Sequence, residues 1–373
     1  MKKTKKSLVL LIACLFMLSS ILVACGKKTD NPVSTTPEKK VKVGIVLSTG
    51  GKGDKSFNDS AIAGLEKAKK ELGIEYKDIQ PKDVADDEKS LEFLAKEGYD
   101  LVIAVGFMMG DALAKVAPKY PNTKFAIIDS SYDKPADNIK CLVFKEHEGS
   151  YLAGMLAASM SKTDVVGYVG GMDMPLIHRF EGGFTAGVKA VKPNATVLAA
   201  YAGTDGGAFN NPAKGKEIAL DMISKKADII YHASGGTGQG VFEAAESKGI
   251  LAIGVDSNQN WVKPGTIIAS MLKKVDIAVF NTVKDVKDNK FKGGKDGMGI
   301  FGLKENGVGL TDLAELTVEE SAKDVTADNQ KKIKDLKATI PADVKTKIEE
   351  AKTKISNGEI KVPDWMIDGK PKQ

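Results

Sequence analysis

The residues best placed for chemistry in this 373-residue chain follow short, β-branched runs. The first run empties into Ser48-Thr49-Gly50-Gly51-Lys52-Gly53-Asp54-Lys55-Ser56-Phe57-Asn58-Asp59-Ser60. Glycines let such a loop turn without steric cost. Ser56, Asn58, Asp59 or Ser60 is expected to cap the following helix, leaving its first amides facing a cleft. Phe57 stands out in so polar a segment. It is either a staple under the loop or a stacking platform for a flat ligand, and the residues alone weigh the two evenly. Asp129 ends another run, where a carboxylate accepts hydrogen bonds from a ligand or else closes a turn. Asp256 and Lys273 end two more. As a pair they suit vicinal hydroxyls, the alternative being a surface ion pair. Beyond the run 229–232 lies Ser234-Gly235-Gly236-Thr237-Gly238-Gln239-Gly240, which misses the dinucleotide spacing, just as Gly-Asp-Lys-Ser at 53–56 misses the phosphate-loop spacing. Close backbone approach to an uncharged ligand explains the glycines equally well. His147, His178 and His232 lack metal-ligand spacing, and no Gly-x-Ser-x-Gly elbow occurs.

Side chains at such positions need strands to carry them and helices to cover the strands. Strands are expected at 41–47, 101–106, 125–129 and 139–144, then at 165–169, 196–201, 229–232, 252–256 and 267–271. Helical spacing fills 61–72, 110–117, 150–160, 183–191, 214–225 and 240–248. The alternation implies parallel sheets covered on both faces. It occurs twice, so the reading is an α/β chain of two similar lobes, with one cleft where the carboxyl ends of both sheets meet. The first lobe takes 41–146 and, on a return crossing, about 273–295. The second takes 147–272 and about 296–373. His147 reads as a hinge residue beside the first crossing, 327–354 as a solvated helix on the second lobe, and 364–373 as a loose end.

Residues 1–24 form a secretory signal segment: Lys2, Lys3, Lys5 and Lys6, then an apolar run too short to span a membrane comfortably. Leu22-Val23-Ala24-Cys25 looks like a bacterial lipobox, so cleavage before Cys25 and lipidation there are expected. Residues 25–40, rich in Lys, Pro, Thr and Ser, read as a flexible tether. Net charge is +5, and losing the four signal lysines leaves +1, which excludes a strong electrostatic case for nucleic acid. Of three cysteines only Cys141 remains in the body, so the core must stabilise it without an internal disulfide.

Several strings then occur in a telling order: Gly53-Asp54-Lys55-Ser56-Phe57-Asn58, Ile128-Asp129, Glu148-Gly149-Ser150-Tyr151-Leu152-Ala153-Gly154, Arg179-Phe180 with Gly183-Phe184, Gly254-Val255-Asp256, and Ser270 with Lys273. Together they resemble the basic membrane protein family of bacterial lipoproteins, of the purine nucleoside receptor type, over nearly the whole chain. The resemblance implies a type I periplasmic-binding-protein fold and a monomeric, lipid-anchored, extracytoplasmic protein. It further implies capture of a purine nucleoside (adenosine, guanosine or inosine) for an ABC permease by cleft closure, with no cofactor and no catalysis. The ligand-binding set is then Asp54, Phe57, Asn58, Asp129, Phe180, Gly235, Asp256 and Lys273. By resemblance, Phe57 and Phe180 sandwich the purine and Asn58 and Asp129 bond its edge. Asp256 and Lys273 hold the ribose hydroxyls, helped by backbone near Gly235. The chain departs from the family at 203–212, where the loop is longer and Gly-rich and Asn211 stands where Asp is usual.

Three rivals stay open. One is a sugar-binding protein of the same fold. Another is a nucleoside hydrolase or phosphorylase using Asp54, Asp129 and Asp256. The third is a surface sensor or adhesin with a vestigial cleft.

Overall fold

A computed structural model describes residues 40–371. The expected signal segment, Cys25 and all but the last residue of the tether lie outside the described residues. Strand β1 (Lys42–Val46) leads to helix α1 (Phe57–Leu72), edge strand β2 (Glu75–Ile79), α2 (Asp87–Lys96), β3 (Leu101–Val105), α3 (Gly110–Val116), β4 (Lys124–Ile128) and β5 (Ile139–Phe144). Strands β3 and β4 are near-continuous apolar runs, as strands covered on both faces should be. Strand β2 reads Glu-Tyr-Lys-Asp-Ile and is half exposed, because an edge strand needs no second apolar face.

The chain then enters a second unit of the same plan. It comprises α4 (Glu146–Met160), β6 (Val165–Met172), α5 (Pro175–Val191), β7 (Thr196–Gly203), α6 (Pro212–Ser224), β8 (Ile229–Ala233), α7 (Gly238–Lys248), β9 (Leu251–Asp256) and β10 (Ile267–Lys273). Helix α8 (Val275–Lys287) returns to pack on α1, and β11 (Gly299–Phe301) pairs in parallel with β5. The return to the first lobe therefore runs to Phe301 rather than stopping near 295. Strand β11 has only three residues, too few to show a period. Strand β12 (Val308–Leu310) then joins the second sheet antiparallel to β10.

The sheet orders are β11-β5-β4-β3-β1-β2 and β12-β10-β9-β8-β6-β7, the same permutation twice. In each, the first strand of the unit has its successors on opposite sides, so β1/β3 and β6/β8 mark the switch points where open parallel sheets bind ligands.

Helices α4 and α5 pack against each other within the second lobe through glycine. A Cβ on Gly187 would stand 2.0 Å from Tyr151 O, and one on Gly154 would stand 2.1 Å from Phe184 O. The tail forms two helices, α9 (Ala327–Ala338) and α10 (Ala342–Ser356), broken at Pro341. Val344, Ile348, Ala351 and Ile355 give α10 a buried stripe against α4. The expected loose end begins instead with an anchor. Asp364 takes both Arg179 Nε and Nη2 at 2.8 Å, and Trp365 lies over Gly182. Arg179 also holds Phe144 O and Glu146, so this contact ties the first crossing between lobes. His147 sits beside it, with Nδ1 3.9 Å from Asp364.

Candidate functional site

A cavity of about 690 Å³, including its open mouth, lies between the carboxyl ends of the two sheets. Residues following β1 and β3 line one side, and residues following β6 and β8 line the other, so both switch points face it. All eight residues of the expected ligand-binding set line this one cavity.

The loop after β1 is organised by Asp54. Its carboxylate accepts from the N–H groups of Ser56, Asn58 and Asp59 and from Asn58 Nδ2, at 2.9 to 3.1 Å. Capping is thus done by Asp54 rather than by the expected Ser56, Asn58, Asp59 or Ser60, and Ser56 at the cap position makes no such bond. With two donors on each oxygen, Asp54 positions the loop. Asn58 Oδ1 accepts from Ser48 N and Oγ, and Nδ2 donates one proton to Asp54, which leaves one amide N–H uncommitted.

Asp129 and Asp256 occupy matching places at the exits of β4 and β9. Both are in the left-handed backbone region, φ 67° and 64°, which aspartate tolerates better than most residues. Asp129 Oδ2 lies 2.6 Å from Lys273 Nζ, while its buried Oδ1 has no partner. Asp256 Oδ2 accepts from Ser56 Oγ of the opposite lobe. Lys273 is 2% exposed. It also meets Glu146 at 3.0 Å and sits 5.0, 5.1 and 5.5 Å from the ring centroids of Phe57, Phe144 and Phe180.

The electrostatics follow. Burial pushes Asp129 up against the pull of Lys273, and pushes Asp256 up to about 6 against the pull of Lys273 and the Ser56 bond. Burial alone would lower Lys273, but Asp129, Glu146 and Asp256 outweigh it and hold the ammonium above the ordinary lysine range. The two directions look opposed across one pair. They agree once Asp129 and Asp256 are seen to share Lys273 with Glu146, which also has Arg179, while the ammonium itself stays charged.

Sequence reasoning passed over Phe107 and Phe209. They line the cavity from opposite lobes, edge to face, with centroids 6.5 Å apart. Phe107 follows β3 directly, the same signal that singled out Phe57. Phe209 ends the turn at 206–209 within the Gly-rich departure at 203–212. Gly206 of that turn lies against Met108 and Thr49 of the first lobe, where its Cβ would come within 3.0 Å of both, and Asn211 caps α6. Gly235, at φ 54°, brings its backbone to the cavity wall beside Phe209 O. The lobes also touch through Gln259 Nε2 to Lys55 O at 3.0 Å and Ser257 Oγ to Ser56 O at 3.2 Å. Among the described residues no group of three or more His, Cys, Asp or Glu is arranged to hold a metal ion.

Comparison with known proteins places this geometry. The chain is 33% identical over 348 residues to the ABC transporter nucleoside-binding protein BmpA of Lactococcus lactis, covering 87% of this chain and 96% of that one. It is 38% identical over 323 residues to an uncharacterized lipoprotein of Pyrococcus abyssi, covering 83% and 78%. A crystal structure of an ABC transporter solute-binding protein from Aeropyrum pernix matches at TM-score 0.77 and 34% identity, over 87% of this chain and 94% of that one. The fold is accordingly the two-lobed α/β arrangement of periplasmic solute-binding proteins. Residues 40–364 match the family model of PnrA-like ABC transporter substrate-binding proteins, and the chain belongs to this Bmp family.

Proposed function

We propose that the interlobe cavity captures a purine nucleoside and that the closed protein delivers it to an ABC permease from a lipid anchor at Cys25 on the extracytoplasmic face. One observation carries the ligand reading. Aromatic rings from both lobes, Phe57 and Phe180, surround a cavity whose polar groups include an unpartnered Asp129 oxygen and one Asn58 N–H. A flat ring with a donor beside an acceptor on its edge meets both needs. The nucleoside named for the Lactococcus lactis relative supports the same class. Leu22-Val23-Ala24-Cys25 and the lipoprotein relative support the anchor. The protein works by binding rather than by turnover. Ligand favours closure to the extent that it binds the closed lobes more tightly.

Phe57→Ala and Phe180→Ala are each expected to weaken binding by about 1–3 kcal/mol, the worth of one stacked base, with unfolding still cooperative. Calorimetric titration with adenosine, guanosine and inosine, set beside ribose, hexoses and free bases, is the test. Binding of sugars alone would overturn the nucleoside reading, and unchanged affinity in both variants would remove the two rings from the site.

A further inference from the structure

Ser234 lines the cavity on the second lobe, and among the described residues its hydroxyl has one hydrogen-bond partner, His232 Nδ1 at 3.2 Å. His232 lies wholly buried in β8, under the start of α7. Gly238 makes room for it, since a Cβ there would stand 2.0 Å from the ring. The other ring nitrogen, Nε2, faces Gln259 Oε1 at 3.2 Å. The orientation of Gln259 is fixed twice over. Val255 N–H, which can only donate, lies 2.8 Å from Oε1, and Lys55 C=O, which can only accept, lies 3.0 Å from Nε2. The amide oxygen therefore faces the histidine, so Nε2 must carry the ring proton. Burial holds the ring neutral, its pKa lowered to about 4, and the positive end of α7 acts in the same sense. Nδ1 is then bare and takes the single proton of Ser234 Oγ.

We infer that Ser234 is a specificity-determining residue that offers the cavity only lone pairs, and so selects a ligand with an O–H or N–H donor at that point. The relay runs Lys55 O, Gln259, His232, Ser234, and it begins on the opposite lobe. The inference rests on the nucleoside reading for its ligand, but not for its tautomer.

Two measurements on the protein test it. Nitrogen-15 correlation spectra of the histidine rings at pH 7, assigned with His147→Gln and His178→Gln so that His232 is untouched, should show His232 protonated on Nε2 and bare on Nδ1. The reverse tautomer, or a doubly protonated ring, overturns the proposal. The second measurement titrates nucleosides in which each donor in turn is replaced by hydrogen, fluorine or an amino group. At one position hydrogen and fluorine should each lose about ten-fold in affinity while the amino group retains it. In Ser234→Ala the three should converge to within about two-fold at that position. Persistence of the full discrimination in Ser234→Ala overturns the contact. Failure of every nucleoside to bind would instead overturn the nucleoside reading and the ligand contact with it, leaving the tautomer decided by the spectra.

Discussion

Lys273 sits among Asp129, Glu146 and Asp256, with three aromatic faces around it, and of these carboxylates Glu146 also has Arg179 at 3.2 Å. Breaking a buried ion pair is worse than never having built it, because the partner is left charged and dry. Lys273→Met is therefore expected to lower stability by about 3–5 kcal/mol at pH 7. The loss should shrink toward pH 5. Asp256 titrates near 6 in the fold against 3.8 in the free chain, so between those values the native state holds the extra proton and acid favours folding at this site. Without Lys273 that carboxyl rises further and is neutralised sooner. Urea unfolding of both proteins at pH 7 and pH 5 measures this, and a pH-independent difference would refute this sharing of Lys273. At this scale much of the site was legible. Asp129, Asp256 and Lys273 were marked by strand exits alone, and Phe57 by being aromatic in a polar loop. The role of Asp54 was not, because its bonds to the α1 amides depend on a loop conformation that composition does not fix. Phe209 was hidden for a similar reason, since only the turn at 206–209 carries it to the cavity.

At the scale of elements, the alternation of buried strands and amphipathic helices made the architecture readable, whereas polar or very short pieces were not. Strand β2 carries charge because it is an edge, and β11 and β12 have three residues each. The Arg179–Asp364 contact joins residues 185 apart, beyond any local pattern. The α4–α5 pair shows what local spacing can encode. Gly183 and Gly187 lie one turn apart on α5, and a Cβ on either would meet α4 backbone, His147 O at 2.2 Å or Tyr151 O at 2.0 Å. Backbone cannot step aside as a side chain can. Gly187→Ala is thus expected to cost about 1–3 kcal/mol, as overpacked cores do, although alanine is the better helix former. A thermal midpoint equal to or above that of the parent would show that the helices separate freely.

The whole molecule is described with its lobes in contact, and few bonds cross the cleft away from the ligand-lining groups. Ser257 Oγ to Ser56 O is one, and Ser257 does not line the cavity. Removing such a bond shifts the open–closed equilibrium by its net worth, about 1 kcal/mol. Ser257→Ala should bind nucleoside about five-fold more weakly, mainly through faster release. Stopped-flow dissociation is the check, and an unchanged release rate would mean that closure does not draw on this contact.

The order in which the chain is made adds a consequence. The first sheet is not finished until Phe301, because α8 and β11 arrive after the five parallel strands of the second sheet. A nascent chain that has emerged only to residue 146 exposes the face of α1 that α8 will cover. Vectorial synthesis therefore cannot complete the lobes one after the other. The amino-terminal half must wait, partly uncovered, for residues nearly twice as far along, and the two lobes reach their native state together.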